Sequence, residues 1–232
     1  VEGMSAMLFL FEIKLNVLYP ASCNGTPPVV GVGACMARMN ESIIFWCGGL
    51  GKGDVDGISL PYGILSMQTW SWQSDISKQA PPARAHASLT SLDNGRGVVL
   101  FGGLDASSLC SNRVDFLSAN FVWATDVSIA GMPPCGRMGH ASCSLADGLV
   151  AIHGGTAQNG FILQDIFILH TSGPDTSEWR WSEAHFQGVP YMCRRVDHSM
   201  ARVGIAEERI AVFGGRSDPK KKTCGDDDEI TY

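Results

Sequence analysis

The stretch Val98-Val99-Leu100-Phe101-Gly102-Gly103 decides the fold, because an apolar run closed by a Gly-Gly doublet occurs four times in this sequence. The doublets begin at residues 48, 102, 154 and 214, so successive copies lie 54, 52 and 60 residues apart. The four doublets are Gly48-Gly49, Gly102-Gly103, Gly154-Gly155 and Gly214-Gly215. This spacing indicates a repeated structural unit of about 50 residues.

Each unit contains the segments of four short strands, a to d. Strands a and b of the second unit flank the turn signal Asn94-Gly95, which is typical of a tight hairpin. A second apolar run follows the doublet, and a tryptophan comes after it. These tryptophans are Trp70, Trp72, Trp123, Trp179 and Trp181. A four-stranded sheet of this size cannot bury both of its faces alone, so the units are predicted to stack around an axis as a β-propeller.

An arginine and a histidine precede strand a. They occur in Arg137-Met138-Gly139-His140 and Arg195-Val196-Asp197-His198, and in a shortened form in Arg84-Ala85-His86. Together with the doublets and the tryptophans, these motifs resemble Kelch repeats over most of the chain. The first unit departs from the pattern, because Gly33 stands at the histidine position and no arginine precedes it. The resemblance implies an all-β, Kelch-type β-propeller.

Three blades are predicted to be complete, with four strands each, and two to be partial. The complete repeats span 27–76, 81–127 and 133–186, residues 1–24 form strands c and d of a partial blade, and 190–232 form a partial fourth repeat. Kelch propellers usually have about five to seven blades, so the resemblance implies a fragment of a larger propeller with further blades or attached domains outside this chain. The alternative is that the two partial blades join and close a four-bladed ring.

The repeat pattern also predicts how the landmarks pack. Glycine adopts backbone conformations that are closed to other residues, and its lack of a side chain leaves room for a large ring. We therefore expect Trp123 to lie against the Gly102-Gly103 turn of its own unit. The histidines His86, His140 and His198 are expected to be one repeated structural position at the start of strand a.

Composition limits the possible partners. The chain has 17 Lys and Arg residues against 23 Asp and Glu, a net charge of −6, so it lacks the basic surface of a nucleic-acid-binding protein. The longest uncharged stretch, 15–37, contains three prolines and is not a membrane span. Cys35, Cys47 and Cys143 lie inside apolar, strand-like runs, where a free thiol packs well, and this favours a reducing, cytoplasmic location. The expected partner is a protein or peptide.

The motifs of common enzymes are incomplete in this sequence. Gly51-Lys52-Gly53 lacks the rest of a phosphate-binding loop, and no serine occupies a nucleophile elbow. The six histidines do not have the spacing of a metal site. We therefore predict no catalytic residue, no metal, no cofactor and no enzymatic activity. The alternative is a metal-dependent, oxidase-like enzyme on the same propeller, with a metal held among the inner histidines.

The Kelch resemblance implies that the d–a and b–c loops form a face that binds partner peptides. The polar residues predicted in these loops are Arg84, Arg137, Arg194, Arg195, Arg216, Ser217, Asp105, Ser107, Ser108 and Asn112. Two interpretations of Arg84, Arg137 and Arg195 stay open: each could brace the next blade, bind a partner, or do both. A cluster of guanidinium groups predicts that acidic or phosphorylated peptides bind there. The function expected is a scaffold or substrate-recruiting module of a larger protein.

Overall fold

The computed structural model describes residues 8–27, 31–50, 59–73, 79–92, 95–173, 175–184, 194–204 and 209–217. Their regular structure consists of β-strands and short 3₁₀ turns, among them Ala146–Gly148 and Thr176–Glu178. In these ranges no helix is long and apolar enough to cross a membrane. Several residues used in the sequence analysis lie outside the described ranges: Asn94, 51–58, 185–193 and 218–232.

Three four-stranded antiparallel sheets form the body of the chain. Sheet 1 contains β3 (Val32–Asn40), β4 (Ile43–Leu50), β5 (Tyr62–Ser66) and β6 (Ser71–Gln73) in that order. Sheet 2 contains β7 (Ser88–Ser91), β8 (Gly97–Phe101), β9 (Val114–Ser118) and β10 (Trp123–Ala124). Sheet 3 contains β12 (Ala141–Ser144), β13 (Leu149–His153), β15 (Ile166–His170) and β16 (Arg180–Glu183). Each sheet is a meander of strands a to d.

Two-stranded sheets occur on either side of these three in the sequence. β1 (Phe9–Glu12) pairs with β2 (Val17–Pro20), and β17 (Val196–Val203) pairs with β18 (Arg209–Arg216) to form sheet 4. A small further sheet joins β11 (Arg137–Met138) to β14 (Thr156–Ala157). Within the described ranges, the prediction of an all-β fold with three four-stranded and two partial blades is confirmed.

The apolar core lies between the sheets. Every residue of β8 is buried, because sheet 2 has sheet 1 on one face and sheet 3 on the other. Phe45 and Leu100 belong to the core between sheets 1 and 2, whereas Phe101 and Ile152 belong to the core between sheets 2 and 3. Burial on both faces explains why these b strands are continuous apolar runs in the sequence.

The tryptophans pack on the preceding sheet. Trp123 contacts Phe45 of sheet 1 edge to face, with ring centroids 5.9 Å apart. Trp181 contacts Phe101 of sheet 2 in the same way at 5.4 Å. The expectation that Trp123 lies against Gly102-Gly103 is wrong, because the ring reaches across the interface between the sheets. The tryptophans are therefore contacts between units. Trp72 on β6 and Trp70 in the preceding turn are only partly buried.

The backbone of the next unit occupies the space beside the first three doublets. A Cβ on Gly102 would lie 2.7 Å from Cε1 of His140 and 2.8 Å from the carbonyl oxygen of Arg137. Gly102 also has a φ of +66°, which disfavours any side chain. The Gly103 N–H donates to the Arg137 carbonyl at 2.8 Å. The doublet thus has the backbone conformation that the sequence suggested, but the next unit, and not a tryptophan ring, lies against it.

Candidate partner-binding face

Backbone hydrogen bonds join the beginnings of four successive units. The Gly33 carbonyl accepts from His86 N at 2.8 Å, the His86 carbonyl accepts from Gly139 N at 3.0 Å, and the Gly139 carbonyl accepts from Asp197 N at 2.8 Å. All four residues have positive φ, between +54° and +76°. We call Gly33, His86, Gly139 and Asp197 the linking series. It holds the d–a loops in a fixed order.

The linking series corrects the alignment of the histidines. His86 occupies the position of Gly139 and Asp197, so His86, His140 and His198 are not one repeated position. Ala87 is the residue equivalent to His140, because each of these two places its Cβ 2.9 Å from a Cβ built on a doublet glycine. The sequence feature that indicates this difference is the spacing from the arginine. His86 lies two residues after Arg84, whereas His140 lies three residues after Arg137.

His140 and His198 are equivalent and lie between sheets. Nε2 of His140 is 2.8 Å from Oγ of Ser88 on the preceding sheet. Nε2 of His198 is 2.9 Å from Nδ1 of His153, a residue that directly precedes a doublet. Burial, and to a smaller extent nearby Arg137, lower the pKa of His140 to about 3. Burial and then His198 lower the pKa of His153 to about 4. These histidines are neutral structural groups at neutral pH.

The His153–His198 contact predicts a loss of stability in acid. The pKa of His153 in the folded chain, about 4, lies below the ordinary value of 6.5, so the unfolded chain binds the proton first. The stability contributed by neutral His153 is complete above pH 6.5 and decreases as the pH falls toward 4. At pH 5 we expect the free energy of unfolding to be about 2 kcal/mol lower than at pH 8 because of His153. Urea unfolding at pH 8 and pH 5 measures this difference.

His153→Phe is the matched variant for this test, because phenylalanine occupies the equivalent position before the doublet at Phe101. The variant should lose less stability than the parent protein between pH 8 and pH 5. An equal loss in both proteins would mean that His153 titrates normally.

Two of the predicted arginines are buried in ion pairs. Arg84 is bound to Asp115 within sheet 2, and both side chains are almost inaccessible. Arg137 forks onto Asp165, with Nη1–Oδ1 at 2.6 Å and Nη2–Oδ2 at 2.8 Å. Its Nη1 also donates to the Gly154 carbonyl at 3.0 Å. These contacts favour the bracing interpretation for both arginines, but each side chain braces its own blade and not the next one.

Sequence reasoning missed the two aspartates. Asp115 and Asp165 each lie in or just before an apolar strand c, where a charged residue is unusual. This position in or next to an apolar run is the sequence feature that could have identified both aspartates as buried partners of a charged group. Oδ1 of Asp115 also accepts from Asp126 N at 2.7 Å, so the carboxylate ties strand c to the chain that follows β10.

The remaining arginines are accessible near sheet 4. Arg216 is 68% exposed, and its Nε lies 3.2 Å from Oδ2 of the exposed Asp197. Arg195 is partly exposed, and its Nη1 donates to the Gly214 carbonyl at 2.7 Å. The guanidinium carbon of Arg194 lies 4.3 Å from the centre of the Phe161 ring. Ser217, which follows Arg216, is exposed.

The b–c loop of sheet 2 contains the other predicted residues. Asp105 accepts from Leu109 N at 2.8 Å and so shapes the loop. The side chains of Ser107, Ser108 and Asn112 are exposed. Gln158, in the b–c loop of the next unit, accepts from Cys110 N at 2.6 Å and donates to the Ser108 carbonyl at 3.1 Å. The side chain of Gln158 therefore holds these two neighbouring b–c loops together.

The d–a loops lie beside the b–c loops. Arg137 N donates to the Ser111 carbonyl at 3.0 Å, and Arg195 N donates to the Leu163 carbonyl at 3.2 Å. The two kinds of loop therefore form one continuous face, which is called the loop face below. Among the described residues, no three His, Cys, Asp or Glu side chains are grouped so that they could hold a metal ion.

Sheets that pack face to face and are linked in series define a β-propeller repeat protein. The profile of the KLHDC2/KLHL20/DRC7 Kelch-repeats domain matches residues 2–215. The chain therefore belongs to the Kelch-repeat family, as the doublets, tryptophans and arginines suggested.

Known proteins similar to this chain agree with that assignment. Adagio protein 3 of Arabidopsis thaliana is 28% identical over 201 residues, which cover 86% of this chain and 29% of the relative. Adagio-like protein 1 of Oryza sativa subsp. japonica is 30% identical over 153 residues, which cover 65% of this chain and 23% of the relative. This chain thus spans less than a third of the length of these relatives. The solved "Structure of YjhT" matches with a TM-score of 0.55 and 16% identity, covers 78% of this chain and 58% of that chain, and shows the fold alone.

Proposed function

We propose that this chain is a non-enzymatic protein-interaction module, and that it acts as a scaffold or substrate-recruiting domain of a larger protein. Kelch domains generally bind protein partners, and this chain belongs to that family. The observation that carries the proposal is the loop face, where backbone hydrogen bonds join d–a and b–c loops from successive units. Such a face presents side chains on a rigid support, which lowers the cost of binding a partner.

The partner proposed for the loop face is an acidic or phosphorylated peptide. Arg84 and Arg137 are neutralised by internal carboxylates, so the arginines that support this proposal are Arg195 and Arg216. The ion pair between Arg216 and Asp197 is exposed, and such pairs contribute little to stability. A partner carboxylate or phosphate can therefore take the place of Asp197 at small cost and accept a forked pair of hydrogen bonds.

Binding to an acidic peptide should depend on Arg216. Arg216→Ala is expected to weaken binding by about 1.5 to 3 kcal/mol, because a hydrogen bond to a charged group is lost. Arg216→Lys should restore only part of the affinity, since an ammonium group cannot form the fork. Fluorescence polarisation with peptides selected from an array measures the dissociation constants.

Arg180→Ala is the control for the peptide experiment, because Arg180 is also exposed but lies on the outer strand β16. It should leave the affinity unchanged. An array that returns basic or purely apolar peptides would refute the acidic partner. If the double variant Arg195→Ala, Arg216→Ala bound the peptide as tightly as the parent protein, the binding site would not be on this part of the loop face.

A further inference from the structure

Two cysteine thiols face each other across the first strand pair of sheet 1. Cys35 on β3 and Cys47 on β4 are directly opposite partners in the antiparallel ladder. Their sulfur atoms lie 3.8 Å apart, and neither cysteine is in a disulfide. The Cys35 thiol also lies 3.5 Å from the Cys47 carbonyl, to which it donates. The pair is a preformed dithiol.

The ladder already satisfies the main requirement of a disulfide. Directly opposite residues of antiparallel strands have Cα atoms about 4.5 to 5.5 Å apart, which lies within the range of about 4.4 to 6.8 Å that a disulfide needs. The sulfur atoms must approach from 3.8 Å to about 2.0 Å. Rotation of the two side chains and a small contraction of the strands supply this movement, so the sheet need not open.

The two thiols differ in accessibility. Cys35 is partly exposed, whereas Cys47 is completely buried. Burial raises the pKa of Cys47 well above its usual value, and the hydrogen bond with Cys35 raises it further. Only a thiolate attacks a disulfide, and it must be accessible to the oxidant. Cys35 therefore has the properties of the attacking thiol. Cys47 is placed to resolve the mixed disulfide because its sulfur lies 3.8 Å from the Cys35 sulfur, although its raised pKa should make this step the slower one.

We propose that Cys35 and Cys47 form a thiol–disulfide exchange site whose oxidant is a small disulfide of the glutathione class. The Cys35 thiol gives its proton to solvent, and its sulfur attacks one sulfur of glutathione disulfide. The bond between the two glutathione sulfurs breaks, and one glutathione leaves and takes up a proton. Cys47 then gives up its proton and attacks the Cys35 sulfur, and the second glutathione leaves as a thiol. One protein dithiol and one glutathione disulfide thus give one protein disulfide and two glutathione thiols.

The crosslink would lie beside the interface between sheets 1 and 2. Cys47 directly precedes the Gly48-Gly49 doublet, and Gly49 N donates to the Arg84 carbonyl at 3.1 Å. Cys47 belongs to the core shared with Leu100 of sheet 2. A disulfide joins strands a and b at this point and restricts the unfolded chain, so the oxidised protein should be the more stable form.

The experiment treats the full chain with mixtures of reduced glutathione and glutathione disulfide. Free thiols are blocked in acid, and the digested peptides are identified by mass spectrometry. We expect a Cys35–Cys47 crosslink that is two hydrogen atoms lighter than the dithiol and that a reductant reverses. In Cys47→Ala, Cys35 should accumulate as a stable glutathione adduct, and in Cys35→Ala, Cys47 should stay unmodified.

Cys143→Ala is the matched control, since Cys143 is also a buried cysteine in a strand and burial raises its pKa to about 11. This variant should form the crosslink as the parent protein does. A stable glutathione adduct on Cys35 of the parent protein, or the absence of any Cys35–Cys47 crosslink, would overturn the proposal. The parent protein alone gives a second readout, because oxidation should raise its Tm by roughly 5 to 10 °C. An unchanged or lower Tm in the crosslinked protein would refute the proposed gain in stability.

Discussion

Replacement of Arg137 by alanine is expected to lower the free energy of unfolding by about 3 to 5 kcal/mol, as is usual when one partner of a buried ion pair is removed. The Arg137 side chain is fully buried, and its guanidinium group binds Asp165 and the Gly154 carbonyl. The variant leaves the Asp165 carboxylate next to an apolar core without its counter-ion. Urea unfolding followed by tryptophan fluorescence measures the change.

Two further variants separate charge from geometry at Arg137. Arg137→Lys keeps the charge but cannot bind both oxygens of Asp165, so its loss of stability should be intermediate. Arg180→Ala removes an exposed arginine and should change the free energy of unfolding by no more than about 0.5 kcal/mol. If Arg137→Ala were as stable as Arg180→Ala, the buried ion pair would not exist.

Trp123→Ala should also cost about 3 to 5 kcal/mol, the range for emptying a buried aromatic site. The ring is 5% exposed and lies in the core between sheets 1 and 2, where it contacts Phe45. Removing it leaves a cavity at an interface between two units. Chemical unfolding of the variant and the parent protein under the same conditions measures the loss.

A double-mutant cycle tests the partner of Trp123. Trp123→Ala and Phe45→Leu should show a coupling energy of about 0.5 to 1.5 kcal/mol, because they remove the two sides of one aromatic contact. Val122→Ala is the control, since the neighbouring Val122 is 61% exposed and its truncation should have little effect. Additive losses for Trp123 and Phe45 would show that these rings do not pack together.

The repeat architecture could be predicted because its signals are local. A turn, an apolar run and a Gly-Gly doublet occur within one unit, and their order indicates the strands of that unit. The contact of Trp123 with Phe45 joins residues 78 positions apart in two different units. Spacing alone does not say which unit a side chain contacts, so the tryptophan was assigned to the wrong glycines.

The same limit applies to the candidate site, where the residues could be located from the sequence but their contacts could not. Sequence motifs located the arginines, but the partners that decide their roles are Asp115 and Asp165, 31 and 28 residues further along the chain. The misplacement of His86 had a different cause. The shortened motif was aligned by residue type, whereas the backbone hydrogen bonds of the linking series align it by position.

The hydrogen bonds beside the doublets all have the same polarity, because the donor always belongs to the earlier of the two units. Gly49, Gly103 and Gly155 each offer an N–H to the unit that follows, and Arg84, Arg137 and Arg195 each offer a carbonyl to the unit that precedes. The second and third units thus each carry one such donor and one such acceptor, and the same hydrogen bond recurs at three boundaries between units. A gene duplication that copies one such unit copies its donor glycine and its acceptor arginine together. Propellers with different numbers of blades can therefore evolve by repeating this contact, and no new kind of interface is needed.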